Sequence, residues 1–158
     1  MTIRTEVVGV AAVRPLQHAV LRPGLPLEAA AYAEDDLPDT VHVAAYDESG
    51  EVAGVATFFP QPYPGPFEDG DQLPSAVEAT AAWRLRGMAS DPRRRGGGFG
   101  AAVLARGVDE IRARGGEWLW CNARLPAVPF YQRHGLRPVG PEFEVPHIGG
   151  HVRMVGRL

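Results

Sequence analysis

Nine consecutive residues carry the densest chemistry in this chain: Arg93-Arg94-Arg95-Gly96-Gly97-Gly98-Phe99-Gly100-Ala101. The glycines free the backbone to turn with its N–H groups facing one way, because no Cβ blocks close approach. An amphipathic run follows directly. A helix that begins there contributes unpaired N–H groups and the positive end of its dipole, and the three guanidinium groups add full charges. A loop built this way holds a phosphate or a pyrophosphate.

Such a loop needs a strand before it and a helix after it. Residues 82–89 read as the strand. Residues 99–114 read as the strongest helix in the chain, with Leu104, Val108 and Ile111 on one face and Arg106, Glu110 and Arg114 on the other. Gly115-Gly116 stops it. Around this unit the sequence predicts a strand at 6–10, helices at 13–22 and 27–32, and strands at 41–46 and 51–59 about the turn Asp47-Glu48-Ser49-Gly50. It then predicts a strand at 118–123, a helix at 126–134 with proline in its first turn, and short strands at 143–145 and 151–155. The proline-rich stretch 60–74 reads as a long surface loop. The fold class is α/β, a mixed sheet with helices, in one domain over 1–158.

Three kinds of phosphate loop compete. A triphosphate loop needs Lys-Ser/Thr after its last glycine, and here Gly100 is followed by Ala101-Ala102. A dinucleotide fingerprint fits Gly96, Gly98 and Ala101. However, its strand should run straight into the first glycine, and the next strand should end in an acid. Asp91-Pro92-Arg93-Arg94-Arg95 intervenes, and 118–122 ends in Asn122. The third kind holds an acyl-coenzyme A.

The stretch from Met88 to Gly100 resembles the signature of the GCN5-related N-acetyltransferase (GNAT) family: an apolar strand, a proline, then Arg/Gln-x-x-Gly-x-Gly/Ala opening a helix. Arg95, Gly98 and Gly100 fill its fixed positions. A second block, Ala127-Val128-Pro129-Phe130-Tyr131-Gln132-Arg133-His134-Gly135-Leu136, is similar to the family's Ala-x-x-Phe/Leu-Tyr-x-x-x-Gly-Phe motif, in the right order and at a fitting distance. The resemblance implies a twisted, mostly antiparallel sheet flanked by helices, with two strands splayed at the acyl-CoA site. It implies acetyl-CoA as the donor and direct attack by a primary amine. It assigns the pyrophosphate to Arg94, Arg95, Gly96, Gly97, Gly98, Phe99, Gly100 and Ala101. The pantetheine falls to the backbone of Met88, Ala89 and Ser90, where a bulge aims an N–H at the thioester carbonyl. Tyr131 would protonate the leaving thiolate.

The chain departs from the family pattern in two places. Arg124 stands where many members have asparagine; Asn122, two positions earlier, is its candidate substitute among the cofactor contacts. The strand before the glycine loop has no carboxylate, and the nearest is Glu78 in the preceding loop. The ending Phe143…Ile148-Gly149-Gly150-His151-Val152-Arg153-Met154 resembles that of a poorly characterised subgroup, as do Arg22-Pro23-Gly24 and Asp35-Asp36. His147 and His151 are placed in the acceptor pocket, with His151 the candidate base. The acidic run Glu34-Asp35-Asp36 has two readings, a contact for a cationic amine or a solvated helix end.

Composition bounds the rest. With 16 basic and 19 acidic residues the net charge is −3, and no aromatics interleave with the arginines, so no nucleic-acid partner is expected. The five histidines show no helix-spaced pair and no neighbouring cysteine, so no metal is expected. The lone Cys121 forms no intrachain disulfide and reads as core. No signal-like or membrane-spanning run appears, so a cytoplasmic protein without a membrane partner is expected, with a homodimer as one arrangement. The alternative function is a non-catalytic acyl-CoA-binding or sensor module.

Overall fold

The computed structural model describes residues 2–68 and 70–158. Seven strands form one open mixed sheet in the order β1-β2-β3-β4-β5-β7-β6. They are β1 Arg4–Val8, β2 Val41–Tyr46, β3 Val52–Pro60, β4 Trp83–Ser90, β5 Trp118–Arg124, β6 Arg137–Val145 and β7 Gly149–Arg157. The helices are α1 Val10–Leu21, α2 Phe99–Ala113 and α3 Val128–Arg133. Pairing is antiparallel for β1–β2, β2–β3, β5–β7 and β6–β7. It is parallel for β4–β5, with Trp83 opposite Leu119 and Arg84 opposite Trp120. A parallel neighbour requires a crossover, and α2 is that crossover.

The chain divides into two units. The first comprises Met1–Phe59 and Leu85–Glu110. Its β2 is apolar along most of its length and buried on both faces, as a central strand must be. Val13 of α1 packs with Ala44, Val55 and Ala89, and Leu16, Val20 and Tyr46 close around them. Gly107 lets α2 approach β3 closely, since a Cβ there would stand 2.1 Å from the Phe58 ring.

The second unit comprises Pro60–Arg84 and Ile111–Leu158. Tyr63, Ala79, Ala82, Trp118, Trp120 and Val155 form its core, with Leu73 and Val139 against them. Part of the proline-rich stretch is therefore core rather than the surface loop expected from its composition. Proline forbids regular ladders but not burial. Backbone bonds from Gln61 to Ala82 O and from Tyr63 to Ala79 O tie the stretch down, and Trp120 Nε1 donates to Gln61 O. The C-terminal hairpin is also longer than expected, nine residues per strand, because β6 reads as exposed and polar until β7 pairs with it. The expected helix at 27–32 is a single 3-10 turn, Leu27–Ala30. No helix among the described residues is long and apolar enough to cross a membrane.

Candidate active site

In the first unit, β4 ends at Ser90 and Asp91 turns the chain into the glycine loop. Asp91 N donates to Ala53 O (2.8 Å), and its carboxylate accepts from Arg93 N, Nε and Nη2 at 2.9, 3.2 and 2.9 Å. Those Arg93 bonds hold the Asp91 carboxyl well below the usual carboxylate range. Arg94 is engaged three times, by Asp91, Asp47 and Glu51. The sequence reading groups Arg94 with the phosphate ligands; in the structure its guanidinium is engaged by these carboxylates, which brace the loop. Asp47 is itself lowered to about 2, first by the Ser49 hydroxyl.

Arg95 is different. It is exposed, and among the described residues no carboxylate or carbonyl engages it. Gly96 and Gly98 take left-handed φ values of 81° and 87°, which reverse the chain ahead of α2. Ala102 N donates to Gly98 O, closing the first turn and leaving Phe99, Gly100 and Ala101 as the helix's unpaired amide donors. One uncommitted cation beside a glycine turn and a helix N-terminus is a fitting cradle for a pyrophosphate.

The strand leading to this loop is not regular. Gly87, in the middle of β4, has φ 64°. Its carbonyl accepts from Gln17 Nε2 at 3.1 Å, and the same nitrogen donates to Thr57 Oγ1 at 3.0 Å. His42 Nδ1 lies 2.9 Å from that hydroxyl, and its Nε2 lies 3.1 Å from Asp35 O. Only Nε2–H can donate to the carbonyl, so the neutral ring accepts at Nδ1 from the threonine. Gln17 is fully buried, and Thr57 and His42 nearly so. A polar chain thus runs from the acidic loop to the kink that precedes Met88, Ala89 and Ser90. Sequence reasoning missed Gln17, Thr57 and Gly87. A glycine inside an otherwise apolar strand was the available signal.

The second unit carries the remaining candidates on two faces of β5 and β7. Tyr131, on α3, is buried and lies on the Cys121 side. Burial, reinforced by Cys121, drives its hydroxyl well above the ordinary tyrosine value, and burial pushes Cys121 up to about 12. Both stay protonated at neutral pH, so Tyr131 can donate a proton and Cys121 is no nucleophile. Among the described residues nothing hydrogen-bonds the Tyr131 hydroxyl.

The opposite face carries Trp120 and Asn122 of β5, with Arg153 opposite Asn122 and His151 opposite Arg124 on β7. Asn122 Oδ1 is buried without a partner. His151 is buried, stacks on Phe143 with ring centroids 5.7 Å apart, and lies with Nδ1 2.9 Å from Gly149 O. A carbonyl can only accept, so Nδ1 carries a proton, and in the neutral ring Nε2 is the nitrogen with the lone pair. His147 is exposed in the β6–β7 turn, with φ 67°.

Glu78 accepts from Ser75 N and Trp118 Nε1 and pairs with Arg157. These contacts make it an anchor of the second unit. Asp35 is not a solvated helix end: its carboxylate is buried, pairs with Arg14 at 3.0 Å and accepts Tyr32 N at 2.9 Å. Glu34 lies 3.7 Å from Arg86, whose guanidinium covers the Tyr32 ring.

A sequence model described as the acetyltransferase (GNAT) family matches residues 10–136. The chain is 28% identical over 143 residues to the uncharacterized N-acetyltransferase YitI of Bacillus subtilis (strain 168), covering 90% of this chain and 88% of that one. Its fold is similar to that of Escherichia coli ElaA (TM-score 0.72, 16% identity, 98% and 99% of the two chains). It is also similar to a GCN5-related N-acetyltransferase from Kribbella flavida (TM-score 0.70, 21% identity, 99% and 98%).

Proposed function

The chain belongs to the GNAT acetyltransferase family, and from that premise we propose which of its residues carry acetyl transfer from acetyl-CoA to a primary amine. The observation that carries the assignment is the uncommitted Arg95 beside the left-handed Gly96 and Gly98 and the open amides of α2. These groups would hold the donor's pyrophosphate, and the backbone of Met88, Ala89 and Ser90 would pair with the pantetheine amides as an added strand does.

Acetyl-CoA supplies a thioester, an acyl group already activated toward an amine. The chain's own part is proton handling and positioning. Tyr131 keeps its proton through burial and gives it to the departing thiolate from the Cys121 side of the sheet. On the other face, His151 Nε2 is the nitrogen free to take the proton that the amine loses. Asn122 Oδ1, buried and unpartnered, accepts an N–H and is a candidate to align the amine or the pantetheine. The kink at Gly87, held by Gln17, sets the direction of the following amides. No enzyme nucleophile enters, in keeping with a thiol held protonated at Cys121. The single buried cysteine and the family's donor favour the cytoplasm as the compartment.

Calorimetry tests the donor site. Acetyl-CoA should bind with a Kd on the order of micromolar, and Arg95→Ala should weaken it while Arg93→Ala does not. Absence of binding to the intact chain would overturn the assignment.

A further inference from the structure

We propose that the face of the second unit centred on Trp120 binds a carboxylate, so that the acceptor is a small amine that also carries a carboxylate. The inference rests on the acetyl-transfer reading above and names its substrate class. Four features converge there. Arg153 Cζ lies 5.7 Å and Arg84 Cζ 4.7 Å from the Trp120 ring centroid, and Tyr63 meets the same indole edge-on at 6.2 Å between centroids. Arg153 Nη1 donates to Gly65 O, a neutral acceptor. Arg153 Nε is buried with no partner, and among the described residues no carboxylate pairs with Arg153. The Tyr63 hydroxyl is equally orphaned in a side chain only 1% exposed.

Elsewhere in this unit a cation near a tryptophan is neutralised: Arg157 covers Trp118 and pairs with Glu78. Arg153, beside Trp120, has no such carboxylate among the described residues. A half-buried guanidinium next to an unsatisfied buried hydroxyl is a donor set that a carboxylate completes with charge-assisted bonds. Burial also raises the Tyr63 hydroxyl, which therefore remains a donor. Polarity along the face is ordered. Asn122 Oδ1, opposite Arg153, is an acceptor without a donor and suits an N–H of the same ligand. His151 sits two residues from Arg153 on β7, about 7 Å away along the strand on the same side. An amine near His151 and a carboxylate at Arg153 belong to one small molecule.

The test uses the full chain, acetyl-CoA and matched pairs: phenylalanine against phenethylamine, and alanine against ethylamine, read as thiol release. The carboxylated member should be favoured at least about tenfold in kcat/KM, the loss expected when charged hydrogen bonds go unmade. That ratio should fall toward unity in Arg153→Gln and drop severalfold in Tyr63→Phe, a change that removes one oxygen and leaves the core packing. A ratio at or below unity in the parent chain, or one untouched by Arg153→Gln, overturns the carboxylate site while acetyl transfer stands. If no amine releases thiol, the acetyl-transfer reading fails instead. The site is then decided by calorimetry with N-acetylphenylalanine and N-acetylphenethylamine. Tighter binding of the carboxylated one, lost in Arg153→Gln, supports the site, and equal binding overturns it.

Discussion

Replacing Gly87 with alanine should damage both the fold and the donor strand, and the size of the effect follows from two contacts. The residue has φ 64°, and an L side chain in that region costs about 1 to 2 kcal/mol. The new Cβ would stand 2.2 Å from Gln17 Nε2 and 2.9 Å from its Cδ. Gln17 is fully buried, so it has to withdraw its amide from Gly87 O and Thr57 Oγ1. Thr57 Oγ1 keeps His42, so one acceptor, Gly87 O, loses this partner at about 1 to 3 kcal/mol, giving a total of about 2 to 5 kcal/mol against a typical stability of about 5 to 15. For a chain of this size the melting temperature should fall by about 10 °C. Gln17→Ala alone also destabilises, but it vacates the space the new methyl needs. The double variant should therefore be more stable than the two single losses predict, by about 1 to 3 kcal/mol. Urea unfolding of the four proteins measures this directly. A Gly87→Ala protein within about 0.5 kcal/mol of the parent, or strictly additive losses, would refute the reasoning. In the same set, acetyl-CoA turnover should drop for Gly87→Ala even at temperatures where it is fully folded.

Tyr131→Phe should lower kcat by about 100-fold, a usual contribution for a positioned general acid, with acetyl-CoA affinity retained; single-turnover thiol release checks it. Asp35→Ala leaves Arg14 and Tyr32 N without their partner and should cost about 3 kcal/mol, as breaking a buried pair does, read as a urea midpoint shift. The glycine loop should also be acid-labile. Asp47 and Asp91 are both depressed in the folded state, so the stability they contribute is complete above about pH 4. It is lost as pH falls through Asp47's value of about 2. Thermal unfolding from about pH 5 downward should show this slope, and Asp47→Asn should flatten it.

What was legible in the sequence is what depends on local pattern. The β2–β3 hairpin and α2 fall within a residue or two of their expected ends, because alternation and a 3.6-residue period mark them. The glycine loop was legible too, since positive φ demands particular residues. Groups whose roles depend on distant partners were not. Gln17 reads as a polar helix position, yet its partners are forty and seventy residues away. Tyr63 lies in a stretch whose prolines suggest surface, and only packing on Trp120 buries it. Asp35 reads as a solvated charge until Arg14 is brought to it. Arg94 and Arg95 are indistinguishable by type and adjacency. The carboxylates of the β2–β3 turn, far away in sequence, separate the committed guanidinium from the open one.

The most direct measurement is thiol release from acetyl-CoA under single-turnover conditions, with and without a primary amine, followed by the intact mass of the protein. Direct transfer predicts release only when the amine is present, an acetylated amine as product, and no acetyl group left on the chain. Acetyl-CoA that binds but releases no thiol with any amine, or an acetyl group lodged on the protein, would contradict the account.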